Sequence, residues 1–475
     1  MSAWQNRQIA AFEAKKASIS AYLLTPKLRS RAARGPSRRA EHKARRGPGL
    51  DLALAARQFG RMETHLKPSR RWAENITLDR RSVLRGAVAG AGTLAAGRFL
   101  AACGNADAPR RVFDFDSMGP LGEPDENGIR LPVALRSRIV ARSGELPIPG
   151  GSYVWHGAPD GGAVFAAADG GWIYVSNSER LNGAGGVGAL RFSSDGSLVE
   201  AYPILEGSSM NCAGGSTPWG TWLSCEEDFF QQRGRVIECD PFGVRTPIER
   251  PALGLFIHEA ACIDPRSGCV YLTEDAHNGR FYRFTPDEPH GGARSLESGR
   301  LEAAKVGNVG GDTVGLVEWI VVPDPLALGT VTRLQVPEAS AFDGGEGIWL
   351  EQGLIYFSTK GDNRVWTYDP RKESLRISYD VAAFAEAPLT GVDNVTGSGA
   401  GDILVAEDAG RMQIVVLTRG GSVVPLLQVV DQPLSEITGP AFDPSGTRLY
   451  FSSQRGSTGQ IFGATGGITY EIQGF

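Results

Sequence analysis

The segment from Asn211 to Glu227, NCAGGSTPWGTWLSCEE, combines one thiol with two adjacent acids. Cys212 stands at one end of a predicted β-hairpin, and Glu226 and Glu227 stand at the other, with a Pro-Trp-Gly turn between them. Because the ends of paired strands meet at one edge of a sheet, these side chains can converge. A thiolate beside carboxylates suits a transition metal, so the segment predicts a metal site.

The composition favours a β-rich body that carries an excess of acid. The chain has 475 residues, of which 62 are glycine, and such turn-rich composition is typical of all-β proteins. Residues 1–102 hold 21 basic and 6 acidic residues, whereas the whole chain has a net charge of −4, so the remainder is strongly acidic. An acidic body argues against a nucleic-acid partner.

Six similar units follow one another along the body at a spacing close to 50 residues. Each has a β-rich run, a polar or acidic end, a Gly- or Asn-containing turn and a second β-rich run. The units begin at Gly170, Gly220, Gly268, Gly353, Gly401 and Thr447. This pattern predicts an all-β fold, a six-bladed β-propeller over 150–475, with an insertion between blades in the gap at 285–350. The alternative folds are a β-sandwich or a pair of barrels. We also expect the protein to be a monomer.

The ends of the predicted hairpins carry a recurring set of acids. In a propeller the innermost strand and the strand that returns beside it meet at one mouth of the central channel, so these ends should converge there. The opening and closing residues are about 13 to 19 positions apart. They are Cys212 with Glu226 and Glu227, Glu259 with Glu274 and Asp275, Glu346 with Thr359 and Lys360, Asp393 and Asn394 with Glu407 and Asp408, Glu436 and Thr438 with Gln454 and Arg455, and Glu179 as the closing acid of the first blade.

So many converging carboxylates require neutralisation, and metal cations supply it. For a single acid the alternative is a solvated loop residue. His258 is a further candidate, either as a ligand or as a donor to a ligand. Cys225 with Cys239, and Cys262 with Cys269, form either disulfides or free buried thiols, whereas Cys212 has no evident partner.

The N-terminal region has the order of an export signal. Arg80 and Arg81 precede an apolar stretch at 87–96, as in a twin-arginine signal, and the export machinery is then a partner. Leu-Ala-Ala-Cys ending at Cys103 resembles a lipobox, and lipidation there would tether the protein to a membrane. The alternatives are a surface helix with two chance arginines and a plain cleavage site. We expect an exported protein in the periplasm or cell envelope.

The segments around this signal are less informative. Residues 1–61 lack a core pattern, and we interpret them as a non-native or disordered extension ahead of a start at Met62. The signal then covers 62–103, and 104–149 form a linker and the first edge of the propeller.

At these residues the chain resembles the PhoX-type alkaline phosphatase family. The matching motifs are NCAGGSTPWGTWLSCEE, HEAACIDPRSGCVYLTED, GEGIW, DNVTGSGAGDILVAED and EITGPAFDPSGTRLYFSSQ, within 150–460. The resemblance implies a six-bladed propeller that hydrolyses phosphomonoesters at an iron and calcium cluster on the axis. It implies metal ligands at Cys212, Glu226, Glu227, Glu259, Glu346, Glu407 and Asp408, with Cys212 on iron. The hairpin ends add further candidates for the same site, which are Glu179, Glu274, Asp275, His258, Asp393, Asn394 and Arg455.

Two positions depart from the family pattern. The family has Arg two residues before the acid equivalent to Glu346, and here this residue is Gly344; it tends to have His where this chain has Ser178. Glycine cannot replace a bidentate phosphate contact, although Arg455 or Lys360 could. We therefore predict an exported metal-dependent phosphatase for small phosphoesters. The alternatives are a non-catalytic, metal-stabilised binding protein of the cell envelope and a lactonase-like propeller, which needs fewer acids and no thiolate.

Overall fold

The computed structural model describes residues 113–309 and 312–475. The predicted extension 1–61 and the export signal, with Arg80, Arg81 and Cys103, lie outside the described residues. The described residues form β-strands and short 3₁₀-helices without an α-helix, and no helix among them is long and apolar enough to cross a membrane. The 3₁₀-helices are Phe115–Ser117, Pro251–Leu253, Gly292–Leu296, Thr332–Gln335, Val381–Ala383 and Gly456–Thr458.

The strands of the described residues form six antiparallel blades, numbered here in chain order. Two strands precede the first blade, β1 (Ile129–Arg130) and β2 (Arg136–Arg142). The first blade has β3 (Pro159–Ala166), β4 (Trp172–Ser178), β5 (Gly185–Phe192) and β6 (Leu198–Ser208). The second has β7 (Asn211–Ser216), β8 (Trp222–Glu226), β9 (Val236–Cys239) and β10 (Ile248–Glu249). The third has β11 (His258–Ile263), β12 (Val270–Glu274), β13 (Phe281–Pro286) and β14 (Gly299–Val309), and β15 (Asp312–Val321) follows it.

The remaining three blades follow the same plan. The fourth has β16 (Gly345–Glu351), β17 (Leu354–Thr359), β18 (Arg364–Asp369) and β19 (Ser374–Asp380). The fifth has β20 (Val392–Gly397), β21 (Ile403–Glu407), β22 (Gln413–Leu417) and β23 (Val423–Val429), and the sixth has β24 (Ile437–Phe442), β25 (Arg448–Ser453) and β26 (Ile468–Gln473). The predicted all-β, six-bladed propeller is thus confirmed.

Early and late parts of the chain close the ring together. Strand β2 pairs antiparallel with β26, with Ile139 opposite Tyr470, and supplies the fourth strand of the sixth blade. Strand β1 pairs with β23 at the outer edge of the fifth blade. The last two blades are therefore completed by strands from the beginning of the described chain, which ties its two ends together.

The predicted insertion lies between the third and fourth blades. Strands β14 and β15 form a long hairpin, and Gly315 and Leu316 of β15 pair with β19 of the fourth blade. The hairpin therefore joins two blades into one nine-stranded sheet. From the 3₁₀-helix that follows, Arg333 reaches back to Glu274, with Nη1 and Oε1 3.0 Å apart.

The core lies between adjacent blades rather than within one of them. Strand β4 is buried along its whole length because the sheets on both sides cover it, which explains its continuous apolar run at Ile173–Val175. Between the third and fourth blades, the rings of Phe281 and Phe357 stack with centroids 4.4 Å apart. Near the axis the inner strands come closer, and a Cβ on Gly215 of β7 would overlap the carbonyl oxygen of Ala261 on β11.

Candidate metal centre

A register shift recurs near the start of the innermost strand of every blade. Such a bulge places an extra residue in one strand and redirects its side chain. In five blades the first residue of the shifted stretch is an acid or the thiol, and in the sixth it is Gly439. The five residues are Asp160, Cys212, Glu259, Glu346 and Asp393.

The returning strand of each of these blades supplies a second residue. In the second blade Glu226 pairs with Asn211, just before the bulge, and the next residue, Glu227, reaches the cluster at the axis. The fifth blade repeats this order, with Glu407 opposite Val392 and Asp408 following. The residues that follow the paired position are Glu179, Glu227, Asp275, Lys360 and Asp408.

These side chains form four overlapping groups that could each hold a cation. Within each group, one ligating atom from every member lies within 4.8 Å of the others. The groups are Glu179, Cys212 and Glu227; Asp160, Glu179 and Glu436; Glu259, Glu346 and Asp393; and Asp393, Asp408 and Glu436. They share members, so the groups form one continuous cluster across the mouth of the propeller.

Glu259 shows most directly that the cluster needs positive charge. Its side chain is fully buried, and neither carboxylate oxygen has a hydrogen-bond partner in the described part of the chain. Burial, then the charges of Glu346 and Glu227, raise the pKa of this carboxyl well above its usual range. An ionised carboxylate in such a position is costly unless a cation binds it, so the site fits a metal ion.

Cys212 lies beside these acids. Its Sγ is 3.6 Å from Oδ2 of Asp160, and it belongs to the group with Glu179 and Glu227. Burial, then the charges of Asp160, Glu227 and Glu259, raise the pKa of the thiol well above its usual range. The thiolate would therefore form only with a cation present, and a thiolate among carboxylates suits iron better than calcium.

The other described cysteines form no disulfides. Cys225 packs in the core between the second and third blades, whereas Cys239 packs in the core between the first and second, so the two lie on opposite faces of one sheet. Cys262 and Cys269 lie at strand ends flanking a turn and are not disulfide-bonded. The structure thus favours thiols over disulfides for these four residues.

Two side-chain cations enter one side of the cluster. The ammonium of Lys360 lies 2.9 Å from Glu346, 3.2 Å from Asp393 and 3.3 Å from Asp408. The guanidinium of Arg455 donates from Nη2 to Glu436 at 2.7 Å, and its Nη1 lies 3.5 Å from Asp408. These are the two side chains that the sequence offers as substitutes for the phosphate contact missing at Gly344.

Two predicted ligands, Glu226 and Glu407, and one additional candidate, Glu274, have their carboxylates held by other partners. Glu226 accepts from Nε and Nη2 of Arg235, each at 2.7 Å, and from Ser208 at 2.6 Å. Successive residues of a strand point to opposite sides, so Glu226 points away from the side on which Glu227 lies. Glu274 and Glu407 have the same position in their blades.

Two side chains donate to the carboxylate of Glu274, whereas three backbone N–H groups donate to that of Glu407. Glu274 accepts from Tyr282 at 2.9 Å and from Arg333 at 3.0 Å. Glu407 accepts from the backbone N–H groups of Thr390, Arg411 and Gln413, so it holds a turn together. None of the four groups contains Glu226, Glu274 or Glu407.

Of the additional candidates, some lie beside the cluster and others lie outside it. His258 Nε2 lies 2.9 Å from the carbonyl oxygen of Gly254, and burial lowers the pKa of the ring to about 3. The ring packs on Phe256, outside the four groups. Asn394 donates to Asp393 at 2.7 Å and accepts from the backbone of Gly439, and it therefore orients the carboxylate of Asp393. Asp275 lies near Glu346 and contributes to its raised pKa.

The sequence reasoning missed Asp160. This acid occupies the bulge of the first blade and is 1% exposed. It lies on β3, ahead of the first recognised unit at Gly170, so no opening residue was assigned to the first blade. Gln454 of the sixth blade donates to both acids of the first blade, at 2.6 Å and 2.9 Å.

The two departures from the family pattern have simple local geometry. Gly344 has φ +68°, and a Cβ added there would lie 3.2 Å from Oδ1 of Asp275, so a longer side chain would require rearrangement. Ser178 is buried and donates to the carbonyl oxygen of Gly157 at 2.7 Å.

Comparisons with known proteins agree with this architecture. The family profile described as Alkaline phosphatase PhoX matches residues 169–456. The chain is similar to a solved structure of Pseudomonas fluorescens PhoX in complex with vanadate, a transition state analogue, at 17% identity and a TM-score of 0.62, covering 75% of this chain and 97% of that one. This likeness supports the propeller fold.

Other matches are more distant. A gluconolactonase from Xanthomonas campestris matches at 12% identity and a TM-score of 0.42, covering 77% of this chain and 94% of that one. An inactive virginiamycin B lyase from Staphylococcus aureus matches at 12% identity and a TM-score of 0.39, covering 71% of this chain and 99% of that one. A search of curated protein sequences gave no significant match. The profile match spans more than half of the chain and confirms the predicted resemblance: the chain belongs to the PhoX alkaline phosphatase family.

Proposed function

We propose that the chain hydrolyses small phosphomonoesters at a cluster of iron and calcium ions on the propeller axis. The observation that carries this proposal is the buried carboxylate of Glu259, which has no hydrogen-bond partner in the described residues and lies close to the Cys212 group. Such a carboxylate needs a cation, and membership of the PhoX family supplies the reaction class.

The donor set suggests which ion each group would hold. Cys212, with Glu179 and Glu227, offers one sulfur and carboxylate oxygens, which suits iron. Asp160 and Glu436 complete an all-oxygen group with Glu179, which suits calcium. When bound, the metal ions would neutralise the phosphate charge and act as Lewis acids.

The protein's own contribution is to hold these donors rigidly and away from water. The bulge residues project from short strands packed on both faces, so their positions are fixed by the blades rather than by loops. Burial of Asp160 and Glu259 excludes water and strengthens every charge interaction inside the mouth. Lys360 and Arg455 add fixed positive charge at the same mouth.

The test compares two cysteines of the second blade, Cys212 and Cys239. Wild-type protein, purified from a host with intact twin-arginine export, should contain iron and calcium and release phosphate from a generic aryl phosphate. Chelation and Cys212→Ala should each abolish turnover and remove iron. Cys239→Ala is the control because that thiol lies in the apolar core between blades. Full turnover after both chelation and Cys212→Ala would overturn the proposal.

A second candidate is a non-catalytic propeller whose metals are structural. Gly344 favours it, because this position lacks the guanidinium that the family resemblance predicts for phosphate contact. The three carboxylates around Lys360 also occupy the ammonium that might otherwise contact a phosphate. Bound iron and calcium, without phosphate release from a broad panel of phosphoesters, would select this candidate.

The site of action proposed here is outside the cytoplasm, in the periplasm or cell envelope. The order of Arg80-Arg81, an apolar stretch and Cys103 supports export by the twin-arginine machinery and lipidation. Replacing both arginines by lysine should retain the protein in the cytoplasm, and Cys103→Ser should move it from the membrane fraction to the soluble fraction. Unchanged fractionation of either variant would contradict the corresponding step.

A further inference from the structure

The four candidate groups differ in the cations that the protein itself supplies. The ammonium of Lys360 lies among Glu346, Asp393 and Asp408, at 2.9, 3.2 and 3.3 Å. Three carboxylates therefore lie within ion-pair distance of one ammonium, which carries three N–H donors. Lys360 is therefore a cation bound within the cluster rather than a group free to contact a substrate.

The carboxylates around Lys360 come from two neighbouring blades, Glu346 from the fourth and Asp393 and Asp408 from the fifth. The side chain is 22% exposed, so it reaches the cluster from the open end of the mouth.

Arg455 completes the neutralisation of the same side. Its guanidinium binds Glu436 at 2.7 Å and lies 3.5 Å from Asp408. The group formed by Asp393, Asp408 and Glu436 thus contacts two side-chain cations through all three of its carboxylates. Glu259, by contrast, has both carboxylate oxygens buried without a hydrogen-bond partner in the described part of the chain.

We propose that Lys360 and Arg455 take the place of a metal ion at the group of Asp393, Asp408 and Glu436. Metal binding is then confined to the remainder of the cluster, around Glu259 and Cys212. The inference rests on the metal-binding part of the proposed function but not on phosphate release. It follows that the protein holds fewer ions than the number of its acidic groups would allow, and that one part of the mouth stays neutralised under chelation.

The test counts calcium in variants of the intact protein. Wild type, Lys360→Met and Lys360→Arg are equilibrated with calcium chloride, passed through a desalting column and analysed by inductively coupled plasma mass spectrometry. Lys360→Met should gain about one calcium ion per chain over wild type, because removal of the ammonium exposes three carboxylates to the cation. Lys360→Arg keeps the charge and should match wild type.

Lys305→Met is the matched control. Lys305 pairs with Glu318 at 2.9 Å on the exposed β14–β15 hairpin, and neither residue belongs to the four groups. An equal or smaller calcium content in Lys360→Met than in wild type overturns the inference. If Lys360→Met unfolds without metal, its melting temperature is measured with and without calcium; stabilisation larger than in wild type supports the inference, and no response overturns it. The test compares calcium content between variants, so its result supports or overturns the inference whether or not the protein releases phosphate.

Discussion

Glu259→Gln should have opposite effects on the free energy of unfolding in the metal-free and the metal-loaded protein. The wild-type carboxylate is fully buried, and both of its oxygens lack hydrogen-bond partners among the described residues. Without metal it is an uncompensated acid, so the neutral amide should stabilise the fold. With metal it is a ligand, so the same change should remove part of the stabilisation that metal binding provides.

Two independent arguments give the size of the effect. The ligating oxygens of Glu259 and Glu346 lie within 4.8 Å, so Coulomb repulsion between two carboxylates at an effective dielectric constant of about 20 is roughly 3 to 4 kcal/mol. The carboxyl can instead take up a proton at pH 7, which costs about 4 kcal/mol relative to an unfolded chain with an ordinary glutamate pKa. We therefore expect Glu259→Gln to stabilise the chelated protein by about 3 kcal/mol.

The pH dependence has a defined sign. Since the pKa of Glu259 is raised in the folded, metal-free protein, the folded state binds more protons than the unfolded state above about pH 4. The free energy of unfolding should then fall as pH rises above about 4. Glu259→Gln should reduce this fall, and metal loading should remove it.

The assay is urea denaturation in EDTA and again with calcium and iron present. Glu274→Gln is the matched control, because Glu274 is equally buried and ends the strand that pairs with the start of β11. Its carboxylate is bound by Arg333 and Tyr282, so its replacement should destabilise the protein in both conditions. If Glu259→Gln destabilises the chelated protein as Glu274→Gln does, the argument for an uncompensated carboxylate at Glu259 is refuted.

Three further predictions concern positions outside the ligand set. Glu226→Gln should lower stability by about 1 to 3 kcal/mol through loss of its paired hydrogen bonds to Arg235, with unchanged metal content by elemental analysis. Burial lowers the pKa of His156 to about 3, so the unfolded state binds more protons below about pH 6.5. In urea titrations of the metal-loaded protein, in which the opposite trend from Glu259 is suppressed, stability should fall by about 2 kcal/mol by pH 5, and His156→Gln should remove that loss. Gly215→Ala should lower the melting temperature by at least several degrees because its Cβ would overlap the next blade, whereas Gly329→Ala, in open space, should leave it unchanged.

The hairpin ends were predictable from sequence, but the choice between adjacent acids was not. Pairs such as Glu226-Glu227 and Glu407-Asp408 mark the strand end equally well in the sequence. Which member faces the axis depends on the strand register, and a shift of one residue exchanges the two sides. The register is set by the bulges, which depend on how the innermost strands pack and leave no clear local signal.

The fold was predictable because it repeats, and the departures from repetition were not. A spacing near 50 residues indicated the blades, whereas the closing strand β2 belongs to a segment that carries no blade pattern. Asp160 was missed for a related reason, since its strand precedes the first recognisable unit. Ring closure is a long-range pairing, and long-range pairings depend on the assembled fold rather than on local sequence preference.

The contact from Gln454 to Asp160 joins residues 294 positions apart in the chain. A ribosome adding about 5 to 20 residues per second needs roughly 15 to 60 seconds to make the intervening polypeptide. During that interval the nascent protein displays acids and a thiol as separate, weak binders without the arrangement that would discriminate among ions. The group that includes Asp160 and Glu436 can be filled only after translation of the last blade. Specific metal loading of this group is therefore a property of the closed ring and cannot begin on the growing chain.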